Sequence, residues 1–292
     1  MLIKEAMRKG MISLKTNNIQ EPNLKSRLLM QYILNKPRQY MLIHDNEELT
    51  NKQEKAYLEN IEKMIKGVPL QHITHSQEFM KMNFYVNENV LIPRPDTEIL
   101  VEEVINIAKK TNAKKILDLC TGSGAIATSL AKYIENSQIT AVDISEEALR
   151  IAKLNAVNNN VEDKITFVKS DLFENIVKEK YDIIVSNPPY IKKDFMKKLD
   201  KEVQQEPYIA LDGGYDGLDF YRKIISEGYQ YLKFKGYLCM EIGYDQKQEV
   251  FDIIIRPKGR NINYREMLLI WYYISEIIQV RPKAMLPWGV RC

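Results

Sequence analysis

A chain of 292 residues with 45% hydrophobic and 28% charged side chains is long enough for two domains and can bury a sizeable core; its composition is that of an ordinary globular protein and does not indicate disorder. Its net charge of +3 is unevenly held: residues 1–254 carry 35 Lys or Arg against 37 Asp or Glu, and residues 255–292 carry seven against two, so the body lacks a nucleic-acid footprint. Cys120, Cys239 and Cys292 are too few and too scattered for a disulfide framework, and His72 and His75 have no further Cys or His beside them to complete a metal site. With no secretory leader and no apolar run of the roughly 18 residues that span a bilayer, the expected location is the cytoplasm, away from membranes.

Residues 1–78 read as helices. Ile3, Met7, Ile12 and Leu14 begin a helical spacing, and Pro22 stands near the start of a second set, Leu24, Leu28, Leu29, Tyr32 and Ile33. Thr50 and Gln53 form a capping box ahead of Tyr57, Leu58, Ile61, Met64 and Ile65. This stretch is expected to be either a partner-binding domain or a small bundle that packs on the remainder of the chain. At residues 79–92 the period changes: Phe79, Met82, Phe84, Val86 and Val90 to Ile92 predict a hairpin, and Pro93-Arg94-Pro95 forces an extended link. The boundary is therefore expected in 79–95, with a second domain over 96–292 whose first helix is capped by Asp96 or Thr97. Arg94, fixed between two prolines, is either a surface ion-pair residue or a substrate-side residue, and the second is preferred.

From Lys115 onward strands and helices alternate, the signature of an α/β fold with a parallel, doubly wound sheet. Strand Lys115 to Leu119 leads into Cys120-Thr121-Gly122-Ser123-Gly124, where the glycines let the backbone turn sharply and approach a ligand. After strand Ile139 to Val142, Asp143 stands 21 positions beyond Gly122, a spacing that suits a carboxylate on ribose hydroxyls. Strand Lys164 to Val168 precedes Ser170-Asp171-Leu172-Phe173, placed to edge an adenine ring with Asp171 accepting from its exocyclic amine. The glycine turn alone also satisfies the loose dinucleotide fingerprint, so a nicotinamide-dependent oxidoreductase stays open at this point.

Strand Tyr181 to Ser186 ends in Asn187-Pro188-Pro189-Tyr190. Two prolines remove two backbone donors and hold the segment extended, so the Asn187 amide is fixed in space. That amide and the Pro188 carbonyl suit a planar NH2 group, and Tyr190 offers a flat face beside it. A nucleoside-binding first turn and this turn face the same crevice, and together they point to S-adenosylmethionine and an amino acceptor.

The chain resembles the bacterial release-factor glutamine methyltransferases, which methylate the glutamine of a Gly-Gly-Gln motif in peptide chain release factors. The likeness runs from about residue 2 to 254 and rests on Gly67-Val68-Pro69-Leu70-Gln71, Val90 to Glu98, Ile116 to Gly124, Asn187 to Tyr190, Glu206-Pro207, Ala210 to Gly214, Asp216-Gly217-Leu218 and Glu241 to Gln246. Asn-Pro-Pro-Tyr by itself is shared with adenine and guanine amino-methyltransferases, which supply an alternative. The resemblance implies that Thr121, Gly122, Ser123, Gly124, Asp143, Leu172 and Asn187 line the cofactor site. It also implies that Asn187, Pro188, Pro189 and Tyr190 hold the substrate glutamine, with release factors as partners and no direct nucleic-acid binding. Cys120 stands where the family has glycine, which a small residue can replace if φ is negative; as a buried thiol it is expected to be inert packing.

After Ile255 the family's final antiparallel hairpin motif is missing. The apolar run Met267 to Ile274 stands there instead, with Arg281, Pro282, Pro287 and Arg291 after it. If this tail supplies no final hairpin, Gly236 to Glu241 keeps an open edge, and marginal solubility with association through that edge or through the Trp271-Tyr272-Tyr273 cluster is expected. The tail also leaves a non-enzymatic binding module as a third reading.

Overall fold

A computed structural model of the chain describes residues 1–255 and the strands Met267–Tyr273 and Glu276–Val280. Two compact units are present: Met1–Ser76 with Leu199–Glu206, and Gln77–Lys198 with the chain from Pro207 onward.

The first unit is helical: α1 (Ile3–Thr16), α2 (Pro22–Leu34), α3 (Arg38–Ile43), α4 (Asn51–Ile65) and α5 (Leu70–Thr74). Ala6, Leu14, Leu29, Met30, Tyr57 and Met64 are completely buried among them, which is the face the helical spacing selects. Thr50 and Gln53 form the expected capping box, the Gln53 amide N–H donating to the Thr50 hydroxyl at 3.3 Å. Tyr57 hydroxyl shares a 2.7 Å hydrogen bond with Ser26, so this buried phenol is satisfied. Segment Leu199–Glu206 is tied in by Glu202, which receives the Lys25 ammonium at 2.5 Å.

The second unit opens with an antiparallel pair, β1 (Gln77–Phe79) and β2 (Met82–Phe84), whose two-residue turn puts Met80 and Lys81 at φ of 50° and 59°. Val86 and Val90 to Ile92 do not extend this hairpin. Val86, Val90 and Ile92 are buried against Ala148 and Ile151 without a ladder, because the backbone of Tyr85 spends its N–H and carbonyl on the Asn155 side chain at 2.7 and 3.0 Å, while Leu91 is half-buried on the cleft.

There follow α6 (Pro95–Thr111), β3 (Lys115–Leu119), α7 (Ala125–Tyr133), β4 (Gln138–Asp143), α8 (Glu146–Asn158), β5 (Ile165–Lys169), β6 (Tyr181–Ser186), α9 (Asp219–Gly228), β7 (Leu232–Glu241), α10 (Lys247–Ile255), β8 (Met267–Tyr273) and β9 (Glu276–Val280). The sheet order is β5-β4-β3-β6-β7-β8-β9, parallel from β5 through β8 and antiparallel at β9, so the α/β doubly wound architecture is present. Both faces of the central strands are covered. Ile116, Ile183 and Val185 belong to one apolar cluster with α6 and α7, while Leu117, Ile184 and Leu238 belong to another with α9 and α10. Because β4 and β5 lie on one side of β3 and β6 on the other, the switch point falls between β3 and β6. Leu119 pairs with Ser186 and Ser186 with Met240, which brings the carboxyl ends of β3, β6 and β7 level.

The expected open edge is not there. Met267–Tyr273 pairs in parallel with β7 from Gly236 to Glu241, and Glu276–Val280 closes an antiparallel hairpin on it. An apolar, aromatic and β-branched run can therefore complete a sheet without the family's turn motif. Ile274, Arg281, Pro282, Pro287 and Arg291 lie outside the described residues.

Candidate active site

At the carboxyl ends of β3 to β6 lies a cleft that encloses about 860 Å³ with its open mouth included. Cys120, Gly122, Asp143, Asp171, Leu172 and Asn187 all line it.

The glycine turn is built from below. Asp118, on β3, is fully buried and accepts from the Thr121 hydroxyl at 2.6 Å, while the Thr121 amide donates to the Val142 carbonyl at 2.9 Å. Burial pushes the Asp118 carboxyl up to about 7, with the Thr121 bond opposing the rise. Gly122 has φ +54°, and a Cβ there would meet nothing within 4 Å, so its backbone faces open cleft. Gly124, at φ +76°, is needed for contact: a Cβ would come 2.8 Å from that of Ala152 on α8. Ser123 is buried, and its carbonyl accepts from the Asn155 side chain at 2.9 Å.

Cys120 departs from the expected negative φ. Its φ is +59°, the left-handed region, where a side chain costs roughly 1–2 kcal/mol and glycine almost nothing. Nor is it the buried packing thiol expected: Cys120 is half-buried and lines the cleft, where desolvation raises the thiol pKa above its usual range and the nearby Asp143 charge adds to this.

Asp143 accepts from the Gly122 amide through Oδ2 and from the Ser145 amide through Oδ1, both at 2.9 Å. Burial raises its pKa and these backbone donors oppose the rise. The Ile144 amide is a third backbone donor to this carboxylate, which leaves part of its lone-pair capacity for a ligand hydroxyl. Asp171 sits 3.6 Å from the Lys223 ammonium, and Leu172 beside it is buried at φ +47°. The cleft thus combines an open glycine backbone, two carboxylates and an apolar floor, a donor set that fits a nucleoside carrying a cationic centre.

The second half is the turn after β6. Ser186 hydroxyl donates to the Leu119 carbonyl at 2.7 Å and locks β6 to β3. Asn187 Nδ2 then donates to the Thr97 hydroxyl at 3.1 Å, and Thr97 donates to Glu241 Oε2 at 2.7 Å. Tyr190 hydroxyl reaches Glu241 Oε1 at 3.5 Å, so the ring is anchored through its hydroxyl, and it packs against the apolar cluster of α9 and α10. Among the described residues, neither Asn187 Oδ1 nor the Pro188 carbonyl receives a hydrogen bond. Pro189 lines the cleft beside them. Arg94 lies close enough to Tyr190 for its charge to oppose the rise that burial imposes on the phenol.

Thr97 is not the cap of α6. The helix starts at Pro95 with Arg94 in the cap position and without a side-chain cap bond, because proline supplies the first-turn geometry and the Thr97 hydroxyl is turned to Glu241. Gln246 secures the turn from behind: Nε2 donates to the carbonyls of Tyr190 at 2.9 Å and Gly217 at 3.2 Å, while Oε1 accepts from Gly243 at 3.1 Å. Gly213 packs so closely that a Cβ would lie 2.6 Å from Tyr190 Cα. Sequence pattern alone reads Thr97 only as a candidate cap and gives no role to Asn155, Glu241 or Gln246. The one signal is an acidic residue closing the apolar strand Leu238-Cys239-Met240-Glu241. Among the described residues no cluster of His, Cys, Asp or Glu could hold a metal ion, and no helix is long and apolar enough to cross a membrane.

Two family models match the chain, one described as the PrmC N-terminal domain over residues 5–74 and one as the methyltransferase small domain over residues 95–206. A release factor glutamine methyltransferase of Clostridium acetobutylicum is 43% identical over 257 residues, covering 87% of this chain and 90% of the relative. That of Clostridium botulinum is 37% identical, with 87% and 91% covered. A bifunctional methyltransferase of Rickettsia typhi is 36% identical over 283 residues, which are 90% of this chain but 54% of the relative.

Proposed function

We infer the reaction from one premise: the chain belongs to the release factor glutamine methyltransferase family. It is a methyltransferase, and its acceptor is the side-chain amide nitrogen of a release factor glutamine. In our reading that glutamine is the one in the Gly-Gly-Gln motif, and the donor is S-adenosylmethionine, which supplies a methyl group made electrophilic by its sulfonium. Methyltransferase membership sets aside the nicotinamide-dependent alternative.

Asp143 takes the ribose hydroxyls, Asp171 takes the adenine amine, and Cys120, Gly122 and Leu172 form the wall on which the donor lies. Thr121, Ser123 and Gly124 shape the turn from beneath. An amide nitrogen is a poor nucleophile because its lone pair is delocalised into the carbonyl. Asn187 Oδ1 and the Pro188 carbonyl accept its two N–H hydrogens, favour the pyramidal form and face the positive charge that develops on nitrogen. Pro189 and Tyr190 hold the amide in line for attack, and Arg94 stands beside Tyr190 at the acceptor end. As the nitrogen bonds the methyl carbon, that carbon's bond to sulfur breaks and its electron pair stays on the sulfur, which becomes a neutral thioether; the nitrogen then loses one hydrogen as a proton to water. The single observation that carries this reading is the pair of unengaged acceptors, with the Asn187 nitrogen already committed to Thr97.

The deciding experiment incubates the enzyme with labelled S-adenosylmethionine and, separately, a release factor, DNA and RNA, followed by mass mapping. Label is expected on the Gly-Gly-Gln glutamine and hardly at all on nucleic acid, in keeping with an excess of acidic groups over residues 1–254. Asn187→Ala is expected to lower turnover roughly 100-fold, the scale for one transition-state hydrogen bond, with cofactor affinity changed far less. Label on adenine and none on the release factor would overturn the assignment in favour of a nucleic-acid amino-methyltransferase.

A further inference from the structure

Glu241 is 5% exposed at the end of β7, yet no lysine or arginine among the described ion pairs neutralises it. Its carboxylate is met by neutral donors: the hydroxyls of Thr97 and Tyr190, and the Asn187 amide, which also lies within reach of it. A carboxylate only accepts hydrogen bonds. The Thr97 hydroxyl has one hydrogen, and Glu241 takes it at 2.7 Å. What Thr97 then presents to Asn187, 3.1 Å away, is an oxygen lone pair. If the Asn187 amide were turned over, its oxygen would face that lone pair and the carboxylate behind it, with no hydrogen between them. The orientation of the amide is thus dictated by the donors and acceptors behind it.

We propose that Thr97 and Glu241 are positioning residues that hold Asn187 with its oxygen toward the cleft, and that this polarity makes the site select an N–H-bearing glutamine over the isosteric glutamate. The inference rests on the function proposed above. A glutamine amide brings two hydrogens to Asn187 Oδ1 and the Pro188 carbonyl. A glutamate carboxylate brings lone pairs to both and is refused. Neither positioning residue touches the acceptor; each acts through Asn187.

The test uses the full chain and a release factor carrying either Gly-Gly-Gln or Gly-Gly-Glu, with binding read by calorimetry and methyl transfer by label. Wild type is expected to bind the glutamine form at least tenfold more tightly. Thr97→Val, which keeps the shape and removes the hydroxyl, is expected to shrink that ratio to within about threefold of unity and to lower kcat at least tenfold, with S-adenosylmethionine affinity unchanged. Thr97→Ser restores the hydroxyl and is expected to recover both readouts to within about threefold of wild type. Glu241→Gln, which can donate as well as accept, is expected to lose discrimination in the same way and decides the matter if Thr97→Val melts early. Wild-type kcat and discrimination in folded Thr97→Val and Glu241→Gln would overturn the relay while leaving the proposed function standing. Absence of wild-type transfer to the release factor would overturn that function and this inference with it.

Discussion

Asp118 is a buried carboxyl on a central strand, raised to about 7 chiefly by burial. Between its ordinary value near 3.8 and that raised value, the unfolded chain has released a proton that the folded chain keeps. Stability from this group is therefore greatest below the lower value and falls as pH rises through the window, by up to about 1.4 kcal/mol per pH unit. Asp118→Asn keeps an acceptor for Thr121 and removes the ionisation. Thermal melts from pH 4 to 8 are expected to show the variant gaining on wild type as pH rises and levelling off above 7; parallel curves would mean that burial of Asp118 has no such effect. At this scale the sequence is legible where chemistry is local. Asp143 and Asn187 stand where their spacing and flanking residues put them. The sign of φ at Cys120 is not written in its side chain. Thr97 reads as a cap because caps are a local statistic, whereas its partner Glu241 is 144 positions away.

In the proposed function two turns divide the work of the cleft, and each is held by a glycine of a different kind. Gly122 faces open space, so a methyl added there enters the cleft; Gly213 faces Tyr190 backbone, so a methyl added there has nowhere to go. Gly122→Ala is accordingly expected to weaken cofactor binding by at least tenfold. Gly213→Ala is expected to shift the Asn187 to Tyr190 turn, cost about 1–3 kcal/mol of stability, and lower turnover at least tenfold with cofactor affinity nearly unchanged. Calorimetry and single-turnover rates on both variants check the pair, and a matching loss of cofactor affinity in both would contradict the division. The alternating strands and helices were readable because both faces of the sheet are covered and each strand is a compact apolar run. The hairpin turn Met80-Lys81 carries no turn-favouring residue, and Val86, Val90 and Ile92 are apolar for burial rather than pairing; periodicity does not separate those causes.

Across the whole molecule, the sheet depends on the chain beyond Ile255 for its border, since β8 saturates the edge of β7. A chain ended at Ile255 is expected to associate at concentrations where the full chain stays monodisperse by light scattering. Equal behaviour of the two would show that the edge is protected by other means. The order of synthesis gives another feature a consequence. The helical unit includes Leu199–Glu206, and its nearly buried Lys25 finds its counter-charge in Glu202, 177 positions downstream. A nascent chain that has just released Ser76 from the ribosome holds helices whose inner cation is still unanswered. They are completed only after β3, β4, β5 and β6 have emerged, so the first unit to be translated is among the last to be finished. A graft that cuts once between Ser76 and Gln77 would carry the helices away without the piece that closes them.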